Sequence, residues 1–282
     1  MHELPLIIFT LLVQCSVGIV LFVTLSLIYA GNHMDIREKC RYALPAMLVA
    51  FIAGALGLMV STAHLGYPLN AFHALRHVES SWLSREIIFA SLYLGILGLV
   101  TLIALLTKRV WTVLLLIATL LGLIDVFCMG AIYVHSSVVT WMHSNTYWMF
   151  YGATIGLGAV VCLWSFASRP NLPAEQVKKV AVTAVGLVIA ITLCRLVEQP
   201  LYMGYLASLS NSDAITFPHQ PLSAFQQLSN LRLTSWIVLI VGVGALTLSL
   251  RAPRISKKML VLGSVLVIAA EVLLRFSFFS IN

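Results

Sequence analysis

The chain has 282 residues, 60% of them hydrophobic and 10% charged, with a mean hydropathy of +0.99 and a formal net charge of +7. No soluble domain of this length can hide so much apolar surface in one core, so the composition excludes a soluble enzyme and calls for a bilayer. The basic balance does not imply a nucleic-acid partner, because twelve of the seventeen Lys and Arg residues fall in alternate loops, which is the signature of membrane topology.

A membrane-spanning helix needs about 20 apolar residues. Eight stretches qualify, at about 5–29, 43–63, 86–106, 110–134, 147–167, 177–197, 231–250 and 258–280. The expected fold is an all-α integral membrane protein, a single domain built as a bundle of eight transmembrane helices. The basic loops hold Arg37, Lys39 and Arg41, then Lys108 and Arg109, then Arg169, Lys178 and Lys179, and lastly Arg251, Arg254, Lys257 and Lys258. Excess Lys and Arg mark the cytoplasmic side, so both termini are expected outside.

The first run is too long for a signal-peptide core and has no Lys or Arg before it, so it reads as a true span. Its one strongly polar residue, Gln14, suits either a bond to a neighbouring helix or contact with a ligand. In span two, Pro45 is expected in the first turn, where its missing N–H costs nothing. That span closes with His64-Leu65-Gly66-Tyr67-Pro68, a helix-stop signal. Residues 69–85 are too polar to span and suggest a short surface helix or loop. Span three is expected to start at Ser84 or Glu86, with Ser84 as cap and Glu86 suited to the helix dipole. Only Thr107-Lys108-Arg109 separates spans three and four, which fixes an antiparallel hairpin. Asp125 lies about nine residues, or roughly 13 Å, from the far end of span four and needs a partner, for which the arginines of spans six to eight are available. Trp141, Tyr147 and Trp148 read as interfacial belt residues. Arg195 and Glu198 in span six, and Glu271 and Arg275 in span eight, have the spacing of ion pairs along one helix. Residues 199–230 show no periodicity and read as a long outer loop.

The depth of the polar groups carries the functional reading. His64, Glu86, Asp125, Arg195, Glu198, Arg232, Glu271 and Arg275 all fall in the outward halves of their spans, whereas inward stretches such as ALPAMLVAFI and VWTVLLLIATLL hold no ionisable residue. An ion or proton pathway needs stations across the full depth, so this distribution opposes a transporter and favours a site opening outward. Quinol oxidation suits such a half-site. The ring enters sideways from hydrocarbon into an apolar cleft, and its hydroxyl protons need acceptors such as a histidine and a buried carboxylate. His64 and Glu86, at facing ends of consecutive spans, fit those roles, although a helix-end histidine can also serve loop carbonyls and Glu86 can be a plain first-turn acid. The five cysteines form no CxxC or CxxCH, and all eight histidines lie at span ends or in loops. No haem or iron–sulfur cluster is therefore expected in this chain, apart from a conceivable His64/His135 haem pairing at the outer edge.

The sequences HELPLIIFT, Gln14-Cys15, and HLGYPLNAF followed by LSRE resemble the membrane-anchor subunit of dimethyl sulfoxide reductase. The eight-span layout and the length resemble it as well. The resemblance implies a bacterial inner-membrane protein with its partners on the periplasmic face. Those partners are a four-cluster ferredoxin-like iron–sulfur subunit and a molybdopterin catalytic subunit. It further implies that menaquinol is the substrate and that this protein passes its electrons straight to the iron–sulfur subunit in anaerobic respiration. His64 corresponds to the histidine implicated in menaquinol oxidation and Glu86 to the acid of the LSxE motif. Gln14, Arg85 and Asp125 join them as expected quinol-site residues. A purely structural anchor, with the quinol site in a partner, and a haem-bearing quinol dehydrogenase subunit are the rival readings.

Overall fold

A computed structural model describes residues 4–31, 34–64, 78–168, 174–210, 216–251 and 255–281, except for the side chains of Ala30, Ala63, His64, Ala174, Gln176, Val177 and Ser210. Among them are α1 (Leu4–Ala30), α2 (Ile36–His64), α3 (Trp82–Thr107), α4 (Thr112–Val134), α5 (Asn145–Ala167), α6 (Ala174–Ser210), α7 (Pro221–Gln227), α8 (Ser229–Ser249) and α9 (Lys257–Phe279). All but the seven-residue α7 are long and apolar enough to cross a membrane, giving eight candidate spans.

The packing is that of a protein in hydrocarbon. Large aliphatic side chains such as Leu99, Leu106, Val113 and Leu120 face outward, while Gln14, Asp125, Arg195, Glu271 and Arg275 are buried. Burial sets the arrangement: 67% of the best apolar window of α1 and 72% of that of α5 are buried, against 33–50% elsewhere, so these two helices form the middle of the bundle. Their backbones touch where Gly18 meets Gly158, and a Cβ on either glycine would overlap the other helix's main chain. Small residues permit such an approach, which is how helices gain contact in a medium as apolar as their own side chains. Around this pair, α2 and α4 flank α1, α3 packs on α4, and the α8–α9 hairpin packs on α5 and α6.

Several boundaries differ from the sequence expectation. Helix α2 begins seven residues early, at Ile36, so Pro45 sits inside it and removes one backbone bond. Helix α3 is capped by Ser81, whose hydroxyl accepts from the Ser84 N–H; Ser84 is therefore the capped residue. The α3–α4 hairpin turns at Lys108, in left-handed geometry (φ 57°, ψ 28°), with its N–H bonded to Ala104. Helix α6 runs through Pro200 to Ser210, so much of the expected 199–230 loop is helical, and α7 follows. Tertiary contacts hold that extension: Tyr202 donates to the Thr140 carbonyl at 2.6 Å, Tyr205 donates to that of Val139 at 3.1 Å, and Leu206 is fully buried. Trp141 is tied inward, donating to the Phe278 carbonyl at 3.0 Å within an aromatic cluster with Tyr133 and Phe279. The expected surface segment 69–85 lies outside the described residues as far as residue 77.

Candidate functional site

The ionisable groups inside the bundle gather at the end opposite the basic loops. There the first turns of α1 and α3 and the last turns of α2 and α4 enclose a cavity of about 130 Å³. Its walls are mostly apolar, including Phe9, Leu83 and Met129, and its polar residues include Glu86, Thr10 and Ser61. Glu86 is 6% exposed and is one of the residues lining the cavity. Ser61 precedes His64 by three residues and shares its helix face; the His64 side chain itself lies outside the described residues.

One turn deeper is a second polar layer. Thr24 meets Thr119 at 2.8 Å, Val17 packs on Gly122, and Thr10 and Met129 share the cavity wall. This antiparallel register of α1 and α4 puts Gln14 and Asp125 at one level, a helical turn below Thr10 and Met129. Both side chains are buried, and neither Gln14 Nε2 nor either Asp125 oxygen has a hydrogen-bond partner among the described residues. Asp125 and Glu86 are within electrostatic range of each other. Nearby, Ser16 donates to the Ala50 carbonyl at 2.6 Å, so the Tyr93 hydroxyl, also 2.6 Å away, must donate to Ser16.

The arginines expected to serve Asp125 are engaged elsewhere. Arg195 donates to both oxygens of Glu271, at 2.7 and 3.2 Å. Arg275 stacks 4.0 Å from the Phe150 ring centre and donates to Gln14 Oε1 at 2.6 Å. Arg232 stacks on Phe225 at 3.0 Å. The expected Arg195–Glu198 and Glu271–Arg275 pairs within single helices are thus replaced by bonds between helices, because these side chains point into the bundle, where neighbouring helices supply the partner. Glu198 instead accepts from Ser144.

Of the residues expected at a quinol site, Glu86 lines the cavity, and Gln14 and Asp125 lie one turn below it. Arg85 turns away: its guanidinium stacks on Trp82 and donates to the Val78 and Glu79 carbonyls at 2.9 and 2.7 Å, pinning the segment that leads into α3. His135, whose ring lies 5.3 Å from that of Trp82, bonds the Ala131 carbonyl through Nδ1. Sequence reasoning missed Thr10, Ser61 and Met129. Each stands three or four residues from a residue it did select (Gln14, His64 and Asp125), so helical spacing alone could have found them.

The family described as DMSO reductase anchor subunit (DmsC) matches residues 1–281 of this protein. It is 32% identical over 166 residues to the C subunit of anaerobic dimethyl sulfoxide reductase from Haemophilus influenzae, a match covering 57% of each protein. It is 28% identical over 296 aligned positions to the YnfH subunit of an anaerobic dimethyl sulfoxide reductase from Escherichia coli, covering 100% of the present sequence and 95% of the relative. Against the C subunit of the Escherichia coli anaerobic dimethyl sulfoxide reductase the identity is 31% over 144 residues, 50% of the present sequence and 49% of the relative. The matched stretch therefore spans about half the length of both C subunits. No solved structure matches. With the family matched from residue 1 to residue 281 and eight apolar helices long enough to span a bilayer, the protein belongs to the DMSO reductase anchor-subunit family.

Proposed function

We propose that this protein anchors a dimethyl sulfoxide reductase-like complex in the bacterial inner membrane and oxidises menaquinol in the cavity beside Glu86. The cavity carries the reading: Glu86, Thr10 and Ser61 line it within a mostly apolar wall, at the end of the bundle that holds its buried ionisable groups. Its volume of about 130 Å³ suits part of a ring system, with the isoprenoid tail left among lipid chains.

Menaquinol gives up two electrons and two protons and leaves as menaquinone. His64 takes the first hydroxyl proton, and Glu86 assists or carries the proton outward. Gln14 and Asp125 form the polar floor beneath the ring, and Arg85 holds the turn that presents Glu86. The electrons pass to an iron–sulfur subunit docked at this end, and from there to a molybdopterin subunit. The clustering of Lys and Arg in the loops at the opposite end supports a periplasmic position for this end and for both termini. Quinol oxidation and acceptor reduction on one face make the step non-pumping.

Fluorescence quenching of a menaquinol analogue by the purified complex tests this, wild type against His64→Ala and Glu86→Gln. Binding weakened by tenfold or more in either variant supports the site. Unchanged binding in both would overturn it and leave the protein as a structural anchor.

A further inference from the structure

At the opposite, basic end of the bundle, the last turn of α1 and the first turns of α6 border a groove of about 580 Å³. Its lining includes Tyr29, Glu175, Lys178, Lys179, Val182 and Thr183. Tyr29 ends the first apolar span and Lys178 begins the sixth, so the groove mouth lies at headgroup depth by both helices. Glu175 bonds Lys179 at 2.9 Å, but both side chains are more than 70% exposed, which makes this a weak, solvent-screened pair. Lys178 has no carboxylate within ion-pair distance among the described residues.

An apolar track continues below the lysines. Lys178, Val182, Gly186, Ile189 and Leu193 recur at helical spacing on one exposed face of α6. A Cβ on Gly186 would meet nothing within 4 Å, so the missing side chain leaves a dip along this face. From Lys178 to Ile189 the track runs about 16 Å, close to the depth of one leaflet of a hydrocarbon core roughly 30 Å thick.

We propose that this groove binds an anionic diacyl phospholipid, with its phosphate against Lys178 and Lys179 and one acyl tail lying along Val182, Gly186 and Ile189. Charge selects the lipid class. Two ammonium groups with a single exposed carboxylate between them favour a headgroup of net negative charge over a zwitterion that brings its own cation. The aliphatic track selects a lipid over a free phosphate, which has nothing to place there. The site stands apart from the cavity at the other end and does not depend on the quinol reading.

The test uses the purified full-length protein, stripped of lipid by detergent exchange. Phosphatidylglycerol, phosphatidylcholine and inorganic phosphate are then added separately, and binding is read by native mass spectrometry and by the thermal unfolding midpoint. Phosphatidylglycerol should be retained and stabilising, phosphatidylcholine much less so, and phosphate inert. Each lysine near a membrane surface is worth about a fivefold change in affinity, so Lys178→Ala with Lys179→Ala should weaken phosphatidylglycerol binding more than tenfold. Gly186→Leu, which leaves the charge untouched and fills the dip, should also weaken it; this variant decides the matter if the double variant does not fold. Equal retention of the two lipids, stabilisation by phosphate alone, or unchanged binding in Gly186→Leu would overturn the proposal.

Discussion

Arg195 of α6 and Glu271 of α9, 76 positions apart, form a two-pronged ion pair sealed inside the bundle, with side chains only 1% and 2% exposed. Gly152 of α5 makes room for it, since a Cβ there would collide with the Arg195 side chain. Removing one partner leaves a buried charge without compensation, which costs about 3–5 kcal/mol. Glu271→Gln should therefore lower the thermal midpoint strongly. Arg195→Met combined with Glu271→Leu should recover part of the loss, because Arg195 is then no longer stranded, while the nearby buried Arg275 loses the Glu271 carboxylate. A double variant as unstable as the single one would show that the pair holds the helices together in some other way.

The Gly18–Gly158 contact makes a sharper demand. Gly158→Val forces the two central helices apart, and overpacking of this kind costs about 1–3 kcal/mol or more. Yield of folded protein in detergent should collapse. Gly244→Ala provides the contrast: the added methyl meets nothing within 4 Å, and the helix gains up to about 1 kcal/mol of propensity. Equal yields from these two variants would contradict the close backbone contact.

Asp125 has no hydrogen-bond partner for either oxygen among the described residues. An unsatisfied buried polar group costs about 1–3 kcal/mol. Asp125→Leu keeps nearly the same shape and should raise the unfolding midpoint or leave it unchanged. If Asp125 serves the proposed quinol step, the same variant loses turnover while gaining stability. A destabilised Asp125→Leu protein would instead mean that the carboxyl has a structural partner.

His143, in the link between α4 and α5, gives a pH signature. Its Nδ1 accepts from the Asn145 N–H at 3.1 Å, so that nitrogen carries no proton, and the Glu198 oxygen 3.6 Å away is a neighbour rather than an ion-pair partner. Burial lowers the imidazole below its ordinary value of 6.5, against a smaller upward pull from Glu198. In the window just beneath 6.5 the unfolded polypeptide therefore binds more protons than the folded one, and stability rises with pH. It should fall as the pH drops through that window, and His143→Gln, which keeps an acceptor for Asn145, should flatten the profile. Thermal midpoints between about pH 5 and pH 8 would check this; parallel wild-type and variant profiles would rule it out.

Hydropathy alone located the eight apolar spans, because a bilayer leaves few alternatives for runs of this length. It could not place the ends of α2 and α6, where residues 36–42 and 199–210 are polar enough to read as loops but wind into helix against neighbouring segments. Spacing along one helix suggested Arg195–Glu198 and Glu271–Arg275, yet a buried side chain chooses its partner across an interface that spacing does not describe. Glu86, Gln14 and Asp125 stood out because polar residues are rare in such a sequence. Thr10, Ser61 and Met129 did not, since a hydroxyl or a thioether inside a helix is ordinary until a cavity is seen beside it.

The one-sided depth of the buried charges also bears on how the protein sits in an energised membrane. A transmembrane voltage acts on a charge in proportion to the fraction of the field it crosses, about 2.3 kcal/mol per elementary charge for a full crossing of 100 mV. Arg195, Glu271, Arg275 and Asp125 all lie in the same half of the bundle, and the other half of each span carries Asp, Glu, Lys and Arg only at its rim. Small movements of this cluster would sweep little of the field. The fold should therefore be nearly blind to whether the membrane is charged or at rest.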